Sequence, residues 1–183
     1  ELRCVRTIGS RGNGEGQYND IHGIGVDAEH IAVRDRKAHS VSLFDKASGA
    51  FVRKFGSQGS GQGQFSQPIG VCLDGDSVYV CDYINNRVHV WTKAGEFVGF
   101  VGSADESAEG YLKRPIDVVV DEEHVFVADS GNCIKVFAKE GGEFVCEVRQ
   151  AGDALFTPWS LAVSDELVYA TDDNNHCVTV FEG

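Results

Sequence analysis

The stretch that decides the fold runs from Phe65 to Gly102. It opens Phe65-Ser66-Gln67-Pro68-Ile69-Gly70-Val71-Cys72-Leu73-Asp74 and continues Val78-Tyr79-Val80-Cys81-Asp82. After Asn85-Asn86 come Arg87-Val88-His89-Val90-Trp91, and then Gly95-Glu96-Phe97-Val98-Gly99-Phe100-Val101-Gly102. Four apolar runs alternate with Gly, Asn and Asp turn signals, and each has the length of a short β-strand. One unit therefore holds four short strands joined by tight turns.

The rest of the chain repeats this unit. A Val-x-Asp step at Asp35, Asp82 and Asp129 recurs as Ala170-Thr171-Asp172, so the aspartates stand 47, 47 and 43 residues apart. An aromatic follows each one, at Phe44, Trp91, Phe137 and Phe181. Pro68, Pro115 and Pro158 lead the first strand of three copies, and Ile21 takes that place in the first. A period in the forties with four strands per unit is the signature of a β-propeller blade. The expectation is an all-β chain of four-stranded antiparallel blades with four repeats visible. The runs Ile116–Val120 and Val125–Ala128 are nearly continuously apolar, as strands covered on both faces are.

The motifs Gly61-Gln62-Gly63-Gln64-Phe65, proline before the first strand, Val-x-Asp, and Asn85-Asn86-Arg87-Val88 closely resemble the NHL repeat. The resemblance spans nearly the whole chain and is clearest in the second copy. The first copy lacks the proline and Asn-Asn-Arg, and the fourth has Asn174-Asn175-His176 instead. It implies one propeller domain over residues 1–183, with repeats at about 10–56, 57–102, 103–149 and 150–183. Residues 4–9 match Phe51–Gly56 and read as a fourth strand that completes the last repeat. Such completion makes a closed four-bladed ring. Alternatively the chain is part of a six-bladed NHL propeller, and the absence of any methionine favours an excerpt.

With 183 residues the chain can bury roughly 70% of its extended surface. It has no apolar run of membrane-spanning length, so no membrane partner is expected. Cys4, Cys72, Cys81, Cys133, Cys146 and Cys177 form no C-x-x-C pair. They read as reduced, mostly buried thiols, which favours a cytoplasmic setting. The net charge of −12 argues against DNA. In a propeller the lead-in loops and the second-to-third-strand turns share one end. There Arg11, Arg34, Arg36, Lys37, Arg87, Lys113, Arg114 and Arg149 nearly balance eleven acids, for a sum of −3, and Arg34, Arg36, Lys37, Arg87, Lys113 and Arg114 are the six candidate binding residues. At the other end only Lys46, Lys93 and Lys139 stand against an acidic majority that includes Glu29, Asp76, Glu96, Glu122, Glu123 and Glu140.

No nucleophile–base pair, phosphate loop or H-E-x-x-H appears. Asp35, Asp82, Asp129 and Asp172 repeat with the scaffold and are expected to accept N–H bonds in the turns that follow. The glycines at 56–63 read as a mobile loop between blades. The expected function is a non-enzymatic protein–protein interaction scaffold without cofactor. The NHL resemblance implies the same, within a larger protein such as a ubiquitin ligase. The first alternative is single-stranded RNA on the six basic residues named above. A second follows from the likeness to propeller lyases and hydrolases with axial metals. That likeness implies His22 and Asp117 as the only candidate ligands.

Overall fold

A computed structural model describes residues 2–149, 156–164 and 167–182. The lead-in to the first blade carries the two-residue strands β1 (Ser10–Arg11) and β2 (Gln17–Tyr18). Blade one holds β3 (Ile21–Val26), β4 (His30–Asp35), β5 (Ser40–Asp45) and β6 (Phe51–Phe55). A second lead-in carries β7 (Ser57–Gln58) and β8 (Gln64–Phe65). Blade two holds β9 (Pro68–Asp74), β10 (Ser77–Asp82), β11 (Arg87–Thr92) and β12 (Phe97–Val101). Blade three holds β13 (Pro115–Val120), β14 (His124–Asp129), β15 (Cys133–Ala138) and β16 (Phe144–Val148). Blade four holds β17 (Pro158–Ser164), β18 (Leu167–Asp172) and β19 (Cys177–Glu182).

Every blade is an antiparallel meander, as the alternation of apolar runs and turn residues dictates. The register slips beside the start of each first strand, between Val80 and Asp82 in blade two and between Pro115 and Asp117 in blade three. The same slip falls between Ile21 and Gly23 in blade one, where no proline stands, so it belongs to the repeat, and a proline, which has no N–H for the ladder, is tolerated beside it. A second slip falls at Phe44, Trp91 and Phe137, where the aromatic anchors leave the third strand. Bulges sharpen the local twist and fan the outer strand away from its neighbour.

The apolar cores lie between blades. Ala32, Val41, Leu43 and Phe55 of blade one pack with Val71, Leu73, Val78, Val80 and Trp91 of blade two. Tyr79, Cys81 and Val88 meet Val118, Val125, Val127 and Phe137 across the next seam. Ile116, Ala128 and Ile134 meet Leu161, Val168 and Ala170 across the third. Blades two and three are thus sandwiched between neighbours, which explains the near-continuous apolar strands of blade three. Packing of first strand on first strand runs from β3 to β9, β13 and β17, and no comparable packing joins β17 to β3. Ile24 and Val26 are accordingly exposed on blade one, although their counterparts Val71 and Leu73 are buried.

Residues 4–9 do not complete the fourth blade, which has three strands among the described residues. They nevertheless occupy the outer-strand position beside blade one. Arg6 donates from Nη1 to the carbonyl of Ala47 at 2.7 Å, and Ile8 lies against Gly49. Arg53 of β6 makes the same contact with Ala94 of blade two, one period later. The match to Phe51–Gly56 fixes where the segment lies. It forms no ladder because no third strand runs beside it.

The lead-in loop at 56–63, read from its glycines as mobile, carries short parallel pairing and side-chain hydrogen bonds. β7 and β8 pair in parallel, and Gln64 Oε1 accepts the N–H of Gly61 at 3.1 Å. A Cβ on Gly59, whose φ is +150°, would lie 2.3 Å from that oxygen. The Gly-x-Gly-x-x-Gln-aromatic pattern is therefore a staple that needs bare backbone.

First strands crowd at the centre. A Cβ on Gly70 would lie 2.7 Å from Asp117 Cα and 2.8 Å from the carbonyl oxygen of Ile116. Asp117 Oδ2 accepts Ser160 Oγ–H and Leu161 N–H, both at 2.9 Å, tying blade three to blade four. Gly70→Ala should cost about 1–3 kcal/mol in urea unfolding, because the Ile116–Asp117 backbone of the next blade cannot yield. Gly99→Ala, where nothing lies within 4 Å, should leave the midpoint nearly unchanged.

Candidate functional site

The four repeated aspartates end β4, β10, β14 and β18, and all are buried. The carboxylates of Asp35, Asp129 and Asp172 accept turn N–H groups, as sequence reasoning anticipated, whereas Asp82 takes the Asn85 side-chain amide at 2.6 Å. Asp35 takes Lys37 N and Ala38 N at 3.1 Å, and Asp129 takes Gly131 N at 2.6 Å. A second set of donors was not anticipated. Asn19 N bonds Asp35 at 2.7 Å, Ser66 N bonds Asp82 at 2.6 Å, Lys113 N bonds Asp129 at 2.5 Å, and Thr157 N bonds Asp172 at 3.2 Å. Each carboxylate thus clamps the lead-in loop of its own blade, 15 or 16 residues upstream. Burial still pushes the Asp129 carboxyl up despite the N–H groups of Lys113 and Gly131.

Blade two adds a buried histidine. His89 is fully buried among the rings of Phe65, Trp91, Phe97 and Phe100. Its Nε2 lies 3.1 Å from Asp82 Oδ2 and 3.1 Å from Arg87 Nε. Burial pulls its pKa below the usual value, and the Arg87 charge adds to that, while Asp82 opposes both. The imidazole is neutral in the folded protein at pH 7.

The six basic residues divide by burial. Arg34 is 5% exposed, faces Gly23, and cannot reach a partner on the end surface. Arg87 donates to the carbonyls of Gly61 and Gln64 at 2.9 and 3.2 Å and stacks over Phe100 at 4.2 Å. It braces the lead-in loop. Arg36 is half exposed, but it pairs with Asp20 at 2.8 Å. Lys37, Lys113 and Arg114 are exposed, with Arg114 over Tyr83 at 5.7 Å. Sequence position alone does not separate the bracing residues from the presented ones, because both occupy the same turns.

No hydrogen bond or ion pair joins His22 to Asp117. His22 Nε2 lies 2.9 Å from Asp20 Oδ1, whereas Asp117 is committed to Ser160 and Leu161. Among the described residues no group of three or more His, Cys, Asp or Glu side chains is placed to hold a metal. Cys81 and Cys133 are buried, and burial raises both thiols, Cys133 to about 12. Cys4, Cys146 and Cys177 are exposed, against the expectation of mostly buried thiols. Cys4 and Cys146 lie in outer-strand positions, and Cys177 is on the uncovered face of blade four.

At the acidic end the lysines are used between blades. Lys93 pairs with Asp27 of blade one, and Lys139 pairs with Asp74 of blade two at 2.7 Å. Burial opposes the Asp27 charge, but Lys93 and the N–H groups of His30 and Glu29 hold its pKa down to about 2. Exposed Glu29, Asp76, Glu96, Glu122, Glu123 and Glu140 remain on the surface. Beside them Ser77, Tyr79, Glu122, Glu123, Ala138, Lys139 and Glu140 line an open groove of about 550 Å³.

Two outcomes follow from these networks. Asp82→Ala should lower the urea-unfolding free energy by about 3 kcal/mol, since the Ser66 N–H and the Asn85 amide lose a buried acceptor. The depressed His89 pKa means the unfolded chain binds a proton that the folded chain refuses. Stability should therefore be full above pH ~6.5 and fall as the pH drops through that value toward the lower folded pKa. The slope, at most about 1.4 kcal/mol per pH unit, should shrink in His89→Gln when melts at pH 7.5 and 5.5 are compared.

The sequence profile described as "NHL repeat" matches residues 65–91 and 157–181. No match is found among curated proteins. The computationally designed protein Ika4 aligns at TM-score 0.65 and 14% identity, over 94% of this chain and 99% of its own. The computationally designed Ika8 aligns at TM-score 0.64 and 14% identity, over 88% of this chain and 45% of its own. Hydrazine synthase from Kuenenia stuttgartiensis aligns at TM-score 0.70 and 17% identity, over 93% of this chain and 49% of its own. Likeness at such identities speaks for the fold alone. The profile matches fall in the second and fourth blades, and a fold of four antiparallel propeller blades is consistent with the NHL-repeat propeller family.

Proposed function

We propose that this chain is a non-enzymatic interaction scaffold, one part of a larger protein, that presents a loop-built end surface to a protein partner. The supporting observation is the use the frame makes of its polar groups. Asp35, Asp82, Asp129 and Asp172 clamp loops, His89 and Arg87 brace a seam, and Asp117 ties two blades. The polar residues left over are presented on rigid ends built of loops, where binding residues concentrate. The acidic end fits a basic protein segment, because its lysines are engaged in ties while Glu122, Glu123 and Glu140 stand free beside a groove.

A labelled Lys/Arg-rich peptide and a labelled random RNA pool test this side by side, each at about 50 and about 200 mM salt. The peptide is expected to bind, and Glu122→Lys with Glu123→Lys and Glu140→Lys should weaken it at least about tenfold, roughly 1.4 kcal/mol. Arg36→Glu with Lys37→Glu should leave that binding unchanged. Tight RNA binding that disappears in the Arg36→Glu and Lys37→Glu protein would replace this reading with an RNA one.

A further inference from the structure

The third residue of each third strand is a different polar type: Ser42, His89, Lys135 and Thr179. Two of these side chains brace a lead-in loop. Lys135 Nζ donates to the carbonyl of Glu109 in the lead-in of blade three and pairs with Glu147 at 3.3 Å. His89 acts through Arg87, whose Nη2 holds the Gly61 and Gln64 carbonyls in the lead-in of blade two. A lysine keeps its charge through the neutral range, whereas an imidazole changes its proton count there. Of the four residues, His89 alone can do so.

The demands on its Nε2 conflict. Arg87 Nε, 3.1 Å away, can only donate, and Asp82 Oδ2, also 3.1 Å away, can only accept. A bare Nε2 serves Arg87 and a protonated Nε2 serves Asp82, so no single state serves both. Nδ1 is buried with no hydrogen-bond partner, and neither neutral tautomer satisfies the ring. Asp82 of β10 and Arg87 of β11 are the charged groups that act on the imidazole. Phe65 of β8, Trp91 of β11, and Phe97 and Phe100 of β12 face it with apolar rings.

A second proton resolves the conflict in favour of Asp82. Nε2 then carries hydrogen in every state, and Arg87 Nε faces an N–H, cation against cation. His89 and Asp82 have no exposed surface, so solvent does not screen that repulsion. The guanidinium that must withdraw is the one that grips the loop. Its acceptors are shared with the staple, since the Gly61 carbonyl also takes the Gln64 N–H at 3.3 Å.

We propose that His89 is an acid-operated latch on the lead-in loop of blade two: a second proton on the ring displaces Arg87 and frees residues 59–65 while the blades stay folded. The latch lies at the end opposite the acidic groove, so it goes beyond the scaffold reading and stands or falls separately. It also differs from a uniform loss of stability, because the opening is confined to one lead-in. In the opened loop the ring regains its ordinary pKa of about 6.5, above that of the buried ring. The open loop therefore binds a proton that the closed loop refuses, and opening grows as the pH falls through that value.

Amide hydrogen exchange of the full chain at pH 7.5 and 5.5, read by mass spectrometry and corrected for intrinsic chemical rates, tests the latch. Protection at 59–65 should fall severalfold at the lower pH, by about tenfold at most for one linked proton. The lead-in at 103–111, braced by Lys135, should keep its protection. His89→Gln offers Arg87 an amide oxygen and Asp82 an amide N–H together, and should protect 59–65 equally at both pH values. Arg87→Gln removes the grip and should lower protection there already at pH 7.5. Equal protection of 59–65 at the two pH values in the unsubstituted chain overturns the proposal. A loss shared with 103–111 does so too, as does a pH response that survives in His89→Gln. If His89→Gln does not fold, Arg87→Gln decides, and unchanged protection of 59–65 in it at pH 7.5 overturns the proposal.

Discussion

A carboxylate at the end of each blade's second strand is the constraint on which the rest depends. It sits in a buried corner where two stretches of backbone must turn without ladder partners. Unpaired N–H groups there would cost free energy comparable to a lost hydrogen bond each. Asp35, Asp129 and Asp172 satisfy N–H groups of both stretches at once, the turn that follows and the lead-in that came before, and Asp82 holds its lead-in N–H and the Asn85 side-chain amide of its turn. Because Phe65, Leu112 and Phe156 of the lead-ins belong to the apolar cores between blades, fixing the lead-in also fixes the seam. A local polar contact thereby sets the spacing between neighbouring sheets.

Among the described residues the first two seams are closed at three heights and the third at two. Near the axis the first strands approach so closely that Gly23 and Gly70 leave no room for a side chain, and Asp117 reaches across to Ser160. In the middle the apolar cores interdigitate. At the acidic end Lys93 and Lys139 span to the carboxylates of the blade before. Exposed ion pairs contribute little singly, but these are partly buried and repeat with the blades. The same repetition explains the uncovered faces at the two ends. Ile24 and Val26 on one side and Val178 and Val180 on the other have the chemistry of a seam without its second half.

Much of the scaffold was legible in advance and much of the surface was not. The period, the strand count and the turn role of the aspartates follow from Asp35, Asp82, Asp129 and Asp172 holding register with Phe44, Trp91, Phe137 and Phe181. The candidate surface fared less evenly. Arg34 and Arg87 share turn and strand-end positions with the exposed Lys37 and Arg114, yet one is enclosed against Gly23 and the other braces a loop. Burial of a long cationic side chain depends on what the neighbouring blade places over it, and no single repeat contains that information. Cys133 and Cys177 make the same point, being equivalent in sequence and opposite in exposure.

The sequence by itself determined the repeat, the blade and the order of the strands, because these rest on local periodicity and turn chemistry that each copy carries within itself. It also determined that residues 4–9 belong to an outer strand, since they match Phe51–Gly56. Only the tertiary structure decided which blade that segment lies beside, which polar groups are spent on the frame, and which faces remain open. Those outcomes depend on contacts between blades some forty residues apart, such as Arg6 on Ala47 and Ser160 on Asp117. Such contacts exist only once the sheets have stacked.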